Sequence, residues 1–327
     1  MRRRPLLALA ASAGLLLSLP ADAAEPRTVR VGVLKFGTVN WELDVIKHHK
    51  LDEKEGFTLD VQPFGGNDAA DVALMGGAVD AIVEDWLFVS RQRADGVPLT
   101  WIPYSSSIGA VMVRADGPVQ GLADLKGRRI GVAGGPLDKG WLMLQAYGRD
   151  KAGIDLAKDA EPAFGAPPLL TEKFKSGELD AVLNYWNFSA RLEAEGHRRL
   201  VEVASVQEAY GAPATTPQLG YVFKQAFADA NPALVEAFAR ASRAAKEVLK
   251  TSDAEWDRLR PVTRAESDAV QAAFMRRYRE GIVERWGEAE RRSAADLYRV
   301  LARLGGEKLV GKGGELAPGT FWPNLSY

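Results

Sequence analysis

Gly77-Ala78-Val79-Asp80-Ala81-Ile82-Val83-Glu84-Asp85-Trp86-Leu87-Phe88 returns one hundred residues later as Gly177-Glu178-Leu179-Asp180-Ala181-Val182-Leu183-Asn184-Tyr185-Trp186-Asn187-Phe188. Gly, Asp, Ala, Trp and Phe keep their places, and Arg91 and Gly96 pair with Arg191 and Gly196 in the same register. Each copy reads as a glycine helix stop, a short buried strand, and a Trp where the strand ends. Open α/β sheets bind ligands at the carboxyl ends of their strands. Two similar lobes that each aim a Trp into one shared cleft are the expectation.

The echo extends to earlier residues. Arg129-Ile130-Gly131-Val132-Ala133 matches Arg30-Val31-Gly32-Val33-Leu34, and Trp141 follows Trp41 by one hundred residues. A period of that size is a domain, not a solenoid repeat. In the first lobe, residues 29–34 form a β-rich run, residues 35–40 are turn-like with Asn40 as an N-cap, and residues 57–61 alternate as a second strand. Gly65-Gly66-Asn67-Asp68 leads into a helix that Gly76-Gly77 ends. In the second lobe Phe164 marks the corresponding second strand, blurred by Pro162, Pro167 and Pro168. Such alternation predicts an α/β fold, each lobe a mostly parallel sheet flanked by helices. Residues 105–113 read as an extended crossing between lobes, and residues 218–223 as the return. Lobe one is expected to take residues 24–112 and 220–327, including Ala- and Arg-rich amphipathic helices at the C-terminal end, and lobe two residues 113–219.

Met1-Arg2-Arg3-Arg4 is a basic start, and residues 6–19 are an apolar run shorter than a spanning helix needs. Ala21-Asp22-Ala23 offers a small-x-small cleavage site, so residues 1–23 read as a cleavable signal peptide and the mature chain as periplasmic. There is no Cys in the sequence, which excludes a lipoprotein anchor, disulfides and thiolate chemistry. The formal net charge is −1, and loss of the leader removes three Arg and one Asp, leaving −3. No basic excess for nucleic acid remains.

Val31-Gly32-Val33, residues 122–132 (LADLKGRRIGV), residues 176–181 (SGELDA) and residues 231–238 (NPALVEAF) together resemble the nitrate/sulfonate/taurine-type substrate-binding proteins of ABC importers, a group that includes thiamine-precursor binders. The resemblance implies a type II-like, two-lobed periplasmic binding protein fold with a double hinge. It implies capture of a small solute by hinge closure, a monomer, and delivery to an ABC permease in the inner membrane.

Strand ends that point inward give a candidate ligand-binding set. The first turn supplies Lys35, Phe36, Thr38, Asn40 and Trp41; the third strand supplies Asp85 and Trp86; the crossing supplies Ser105 and Ser106. The second lobe adds Gly135, Asp138, Asn184, Tyr185 and Trp186. Trp is equally at home in a core, and Asp85 at a helix cap. Gly134-Gly135-Pro136 would suit an anion cradle or an ordinary turn. None of these loops carries the Arg that oxyanions favour. Aromatic rings beside Glu84, Asp85 and amides suit an organic solute, aromatic or amine-bearing.

Other classes have less support. The only histidines are His48, His49 and His197, no Gly-x-Ser-x-Gly elbow is present, and no catalytic set or cofactor is expected. No His/Cys cluster is visible in the sequence, so no metal site is assigned. The alternatives are a hard metal ion or metal complex held by carboxylates among Glu42, Asp44, Asp68, Asp71, Glu84 and Asp85, or a periplasmic sensor module.

Overall fold

The computed structural model describes residues 27–327; the expected signal peptide lies outside them. Two five-stranded sheets have the same topology. In the first, β1 (Arg27–Leu34), β2 (Phe57–Phe64), β3 (Ala81–Asp85) and β4 (Leu99–Ser105) are joined by a strand from far along the chain, β10 (Leu219–Lys224), in the order β2-β1-β3-β10-β4. In the second, β5 (Ala110–Val113), β6 (Arg129–Ala133), β7 (Glu161–Gly165), β8 (Ala181–Asn184) and β9 (Arg198–Glu202) run in the order β7-β6-β8-β5-β9. β1 pairs in parallel with β2 and β3, as β6 does with β7 and β8. The fourth position in each sheet is antiparallel to both neighbours, and it is a crossing strand: β10 in the first sheet, β5 in the second. Two chain crossings therefore connect the lobes. The first comes slightly earlier than residue 113, because Ala110–Val113 already pairs in the second sheet.

The repeated Asp has a structural reason. Asp80 accepts the Arg30 backbone N–H at 2.9 Å and its guanidinium at 2.6 and 3.0 Å. Asp180 does the same for Arg129, at 3.0 Å from the backbone and 3.4 Å from the side chain. Each Asp thus pins an arginine of the neighbouring parallel strand, β1 or β6, on the side away from the cleft. Gly77 and Gly177 both have positive φ and end the preceding helices. Pro162 is tolerated because β7 is an edge strand.

The 20-residue helix Pro232–Thr251 lays Val235, Phe238, Ala241, Ala245 and Leu249 against the first lobe's core. Later helices serve both lobes. Helix Asp268–Glu280 packs on helix Trp186–Ala194 of the second lobe, where Arg277 binds Glu193 at 2.9 Å and Arg276 reaches it at 3.1 Å. Helix Glu288–Gly305 packs on helix Lys139–Tyr147. The C-terminal tail, without periodicity in sequence, is fixed by aromatics: Phe321 lies 5.5 Å from Trp101 and 5.1 Å from Trp286. No helix among the described residues is long and apolar enough to cross a membrane.

Candidate binding cleft

Strand ends and helix starts from both lobes wall a cavity of about 160 Å³. The first lobe contributes Phe36 and Thr38 after β1, Glu84 and Asp85 at the end of β3, and Tyr104 from β4. The second contributes Asp138 and Lys139 before helix Lys139–Tyr147, and Asn184, Tyr185, Trp186 and Asn187 after β8. Ser107, Ile108 and Gly109 of the first crossing form part of its wall.

The helix starts that carry acids are already capped from within. Asp85 accepts the Phe88 N–H at 2.7 Å, and Asp138 accepts the Trp141 N–H at 3.0 Å. The anion that a helix N-terminus attracts is here the protein's own carboxylate. Gly134 makes room for this arrangement. Its φ is +93°, and a Cβ there would lie 2.9 Å from Asp138 Oδ2 and 3.0 Å from the Tyr185 hydroxyl. The Gly134-Gly135 turn therefore frames an acid, and it is not an open anion cradle.

Three carboxyl groups face one ammonium. Lys139, 6% exposed, donates to the Gln218 carbonyl at 3.3 Å and stands 3.9 Å from Asp85 Oδ2. Glu84 has a half-buried side chain open to the cavity, and its one donor among the described residues is the Asp85 backbone N–H at 3.4 Å. Burial, then the negative charges of Asp85 and Asp71, push the Glu84 carboxyl well above its ordinary pKa. Burial likewise pushes Asp138 up to about 6, against the opposing pull of the Trp141 N–H and Lys139. The Tyr185 phenol is raised by burial and by Asp138, Glu84 and Asp85, so it stays a neutral donor. Among the described residues no arginine lines the cavity.

Of the residues expected from the sequence, Phe36, Thr38, Asp85, Asp138, Asn184, Tyr185 and Trp186 meet at this cavity. Asn184 acts there as a brace. Its amide binds the Pro167 carbonyl at 3.2 Å and the Thr171 hydroxyl at 2.9 Å, and its oxygen accepts the Tyr185 N–H. The others lie elsewhere. Lys35 is exposed to solvent. Asn40 closes its own turn by donating to the Leu34 and Gly37 carbonyls at 2.8 and 2.7 Å. Trp41 is in the core against Trp256 and Phe274, behind Trp186. Trp86 is wholly buried, donates to the Pro217 carbonyl at 2.8 Å and packs on Tyr298 and Phe321. The C-terminal helix and tail cover its side of the lobe, which breaks the symmetry between the two tryptophans. Ser105 and Ser106 turn away to the Gly281 carbonyl, both at 3.3 Å. Gly135 does not reach the cavity wall.

The candidate set omitted Glu84, Tyr104 and Lys139. Glu84 and Lys139 each adjoin a residue that it included, and a wall two residues wide at each strand end would have found both. Nothing in the sequence singles out Tyr104. The six carboxylates considered as cation ligands are dispersed: among the described residues no three of them bring oxygens within 4.8 Å of one another. Glu42 lies in the core, hydrogen-bonded to Tyr221 and Ser242, and Asp44 binds Arg258 at 2.6 Å.

The architecture is shared with solved structures of binding proteins. The alkanesulfonate-binding protein SsuA from Xanthomonas axonopodis pv. citri, bound to MOPS, superposes with a TM-score of 0.71 at 20% identity, covering 92% of this chain and 99% of that one. The periplasmic aliphatic sulphonate binding protein SsuA from Escherichia coli gives 0.69 at 18%, with 92% and 94% covered. The periplasmic nitrate-binding protein NrtA from Synechocystis PCC 6803 gives 0.57 at 13%, with 72% and 66% covered. Among curated proteins, none matches this sequence. The sequence model described as "NMT1/THI5 like" matches residues 53–254, well over half of the chain. By that match, and with the two-lobed α/β fold on which it falls, the chain belongs to the NMT1/THI5-like family.

Proposed function

We propose that the protein is an exported, periplasmic solute-binding protein that captures a small organic solute between its lobes and delivers it to an ABC permease. The favoured solute has a flat apolar body and an amine or similar hydrogen-bond donor. Glu84 carries this reading: a carboxyl group on the cavity wall with one long backbone contact, no salt bridge among the described residues, and only a share in the charge of Lys139. A donor on the solute completes it, and Asp85 and Asp138 add negative potential on either side. Phe36 and Trp186 supply apolar and aromatic surface for the solute body. A single chain provides every wall, which suits a monomer.

Sulfonate and nitrate, bound by proteins of the same fold, are poorer matches. They would meet three carboxyl groups and no arginine. Thermal-shift screening separates these classes, because a ligand that binds only the native state raises the melting temperature. The panel holds amines, pyrimidines, sulfonates, nitrate, and calcium or lanthanide salts. Stabilisation by amines or aminopyrimidines is the expected result. Stabilisation by sulfonates or nitrate alone overturns the solute class, and stabilisation by none of the panel counts against small-solute capture.

A further inference from the structure

We infer that His48, His49 and Glu255 form a site for a borderline divalent cation of the Zn²⁺ type, separate from the cavity. His48 ends helix Val39–His48 and His49 is its C-cap. The helix begins beside Thr38, so its ten residues set the histidines roughly 15 Å from the cavity wall. Helix Asp253–Arg258 brings Glu255 to them from the other side. One ligand atom from each of the three residues lies within 4.8 Å of the other two, the only such group of His, Asp and Glu among the described residues.

The local chemistry favours a metal over a plain ion pair. His49 Nε2 stands 3.1 Å from Glu255 Oε2, yet it is shielded from solvent and satisfies no hydrogen-bond geometry. A tetrahedral ion with bonds near 2.0–2.2 Å would hold neighbouring N and O ligands roughly 3.3 Å apart. Arg258 fixes the other carboxylate oxygen, Oε1, at 2.8 Å from its Nε, leaving Oε2 aimed at His49. Such outer contacts orient a ligating carboxylate. The same guanidinium also binds Asp44 at 2.6 Å, so two carboxylates share one positive charge and the site keeps net negative potential. His48 is exposed, its ring 4.9 Å from that of His49 and at 89° to it, with one nitrogen within 4.8 Å of the other two ligand atoms. Two imidazoles and one carboxylate select Zn²⁺, Ni²⁺ or Cu²⁺ over Ca²⁺ or Mg²⁺, with water as the remaining ligand.

The test is titration of protein carrying no histidine tag, stripped with chelator, using Co²⁺ followed by visible absorbance and Zn²⁺ by competition. One equivalent should bind with a dissociation constant below about 10 µM. His48→Ala removes an exposed side chain and leaves the fold intact; it and His49→Ala should each weaken binding at least ~30-fold. His197→Ala, at the third histidine, should change nothing. Three results overturn the site: no saturable binding below ~100 µM, full affinity in both the His48→Ala and His49→Ala proteins, or loss of binding in His197→Ala.

Discussion

Trp186 of the second lobe donates its indole N–H to the hydroxyl of Thr38 in the first, 3.3 Å away, linking the two walls of the cavity. Its ring meets Trp41 edge-on at 5.5 Å, so wall and core are continuous here. Trp186→Phe keeps most of that packing and loses the bond. The contact between the two walls should lose about 1 kcal/mol, and solute affinity should fall roughly five-fold. Trp186→Ala removes the wall itself and should cost at least ~100-fold. Calorimetric titration of folded variants checks both, and solute addition should shift tryptophan emission. Unchanged affinity in a folded Trp186→Ala protein would remove Trp186 from the site.

Glu84 and Asp85 are neighbours with separable roles. Asp85 caps helix Trp86–Ala94 through Phe88, whereas Glu84 makes no comparable bond. Glu84→Gln should leave the melting temperature within a few degrees and weaken an amine-bearing solute by about 10–100-fold, the range of a hydrogen bond to a charged group. A neutral analogue of the same shape should lose much less. Asp85→Ala should lower stability by about 1 kcal/mol through loss of the cap. If both solutes lose equal affinity in Glu84→Gln, charge is not what the cavity reads.

The parts of this fold that were legible in sequence are those with a local cause. Gly77 and Gly177 end helices, Asp80 and Asp180 pin arginines about fifty residues earlier, and the echo between them fixed two like lobes and the crossings. Half of the expected cavity wall followed from the rule that ligands lie at strand ends. Trp86 did not, because what buries it is Tyr298 and Phe321, more than two hundred residues away with no sequence echo. His48-His49 carried no site assignment for the same reason. Glu255, the third member of the group, belongs to a short helix whose position depends on the packing of the long one before it.

The raised pKa of Asp138, about 6, sets a pH dependence for capture. Below that value the carboxyl is neutral and offers a cation less. Affinity for an amine-bearing solute should therefore rise as pH climbs from 5 to 7, by up to about tenfold from this group. Asp138→Asn should remove this group's part of the profile and leave the part due to Glu84, whose carboxyl pKa burial also raises. The same shift works against the unliganded fold. Because the folded pKa exceeds the ordinary carboxyl value of 3.8, the folded state holds the proton more tightly. Stability from this group is present below about pH 4 and is lost as pH rises through 6. Asparagine preserves the helix cap, so Asp138→Asn should stabilise the unliganded protein at pH 7.5 by on the order of 1 kcal/mol and not at pH 4. Calorimetry at the two pH values decides it; equal shifts at both would show that Asp138 does not titrate as proposed.

Glu42 and Lys246 form a buried ion pair, with Nζ 2.5 Å from Oε2 and side chains 6% and 0% exposed for Lys246 and Glu42 respectively. Tyr221, Tyr278 and Ser242 complete the carboxylate's shell at 2.8, 3.1 and 2.5 Å. Burial lowers the Lys246 pKa, and the Glu42 charge opposes that shift. Lys246→Met leaves a carboxylate in the core with hydroxyl donors alone, and should destabilise the protein by about 3–5 kcal/mol. Adding Glu42→Gln removes the stranded charge and should restore a large part of the loss, a coupling that urea unfolding of the two single variants and the double measures directly. The pair joins helix Val39–His48 to helix Pro232–Thr251 and so fixes the helix whose first turn, at Thr38, meets Trp186. A loss below about 1 kcal/mol in Lys246→Met would mean that water or a rearranged shell solvates Glu42, and that the helix is positioned by its apolar face alone.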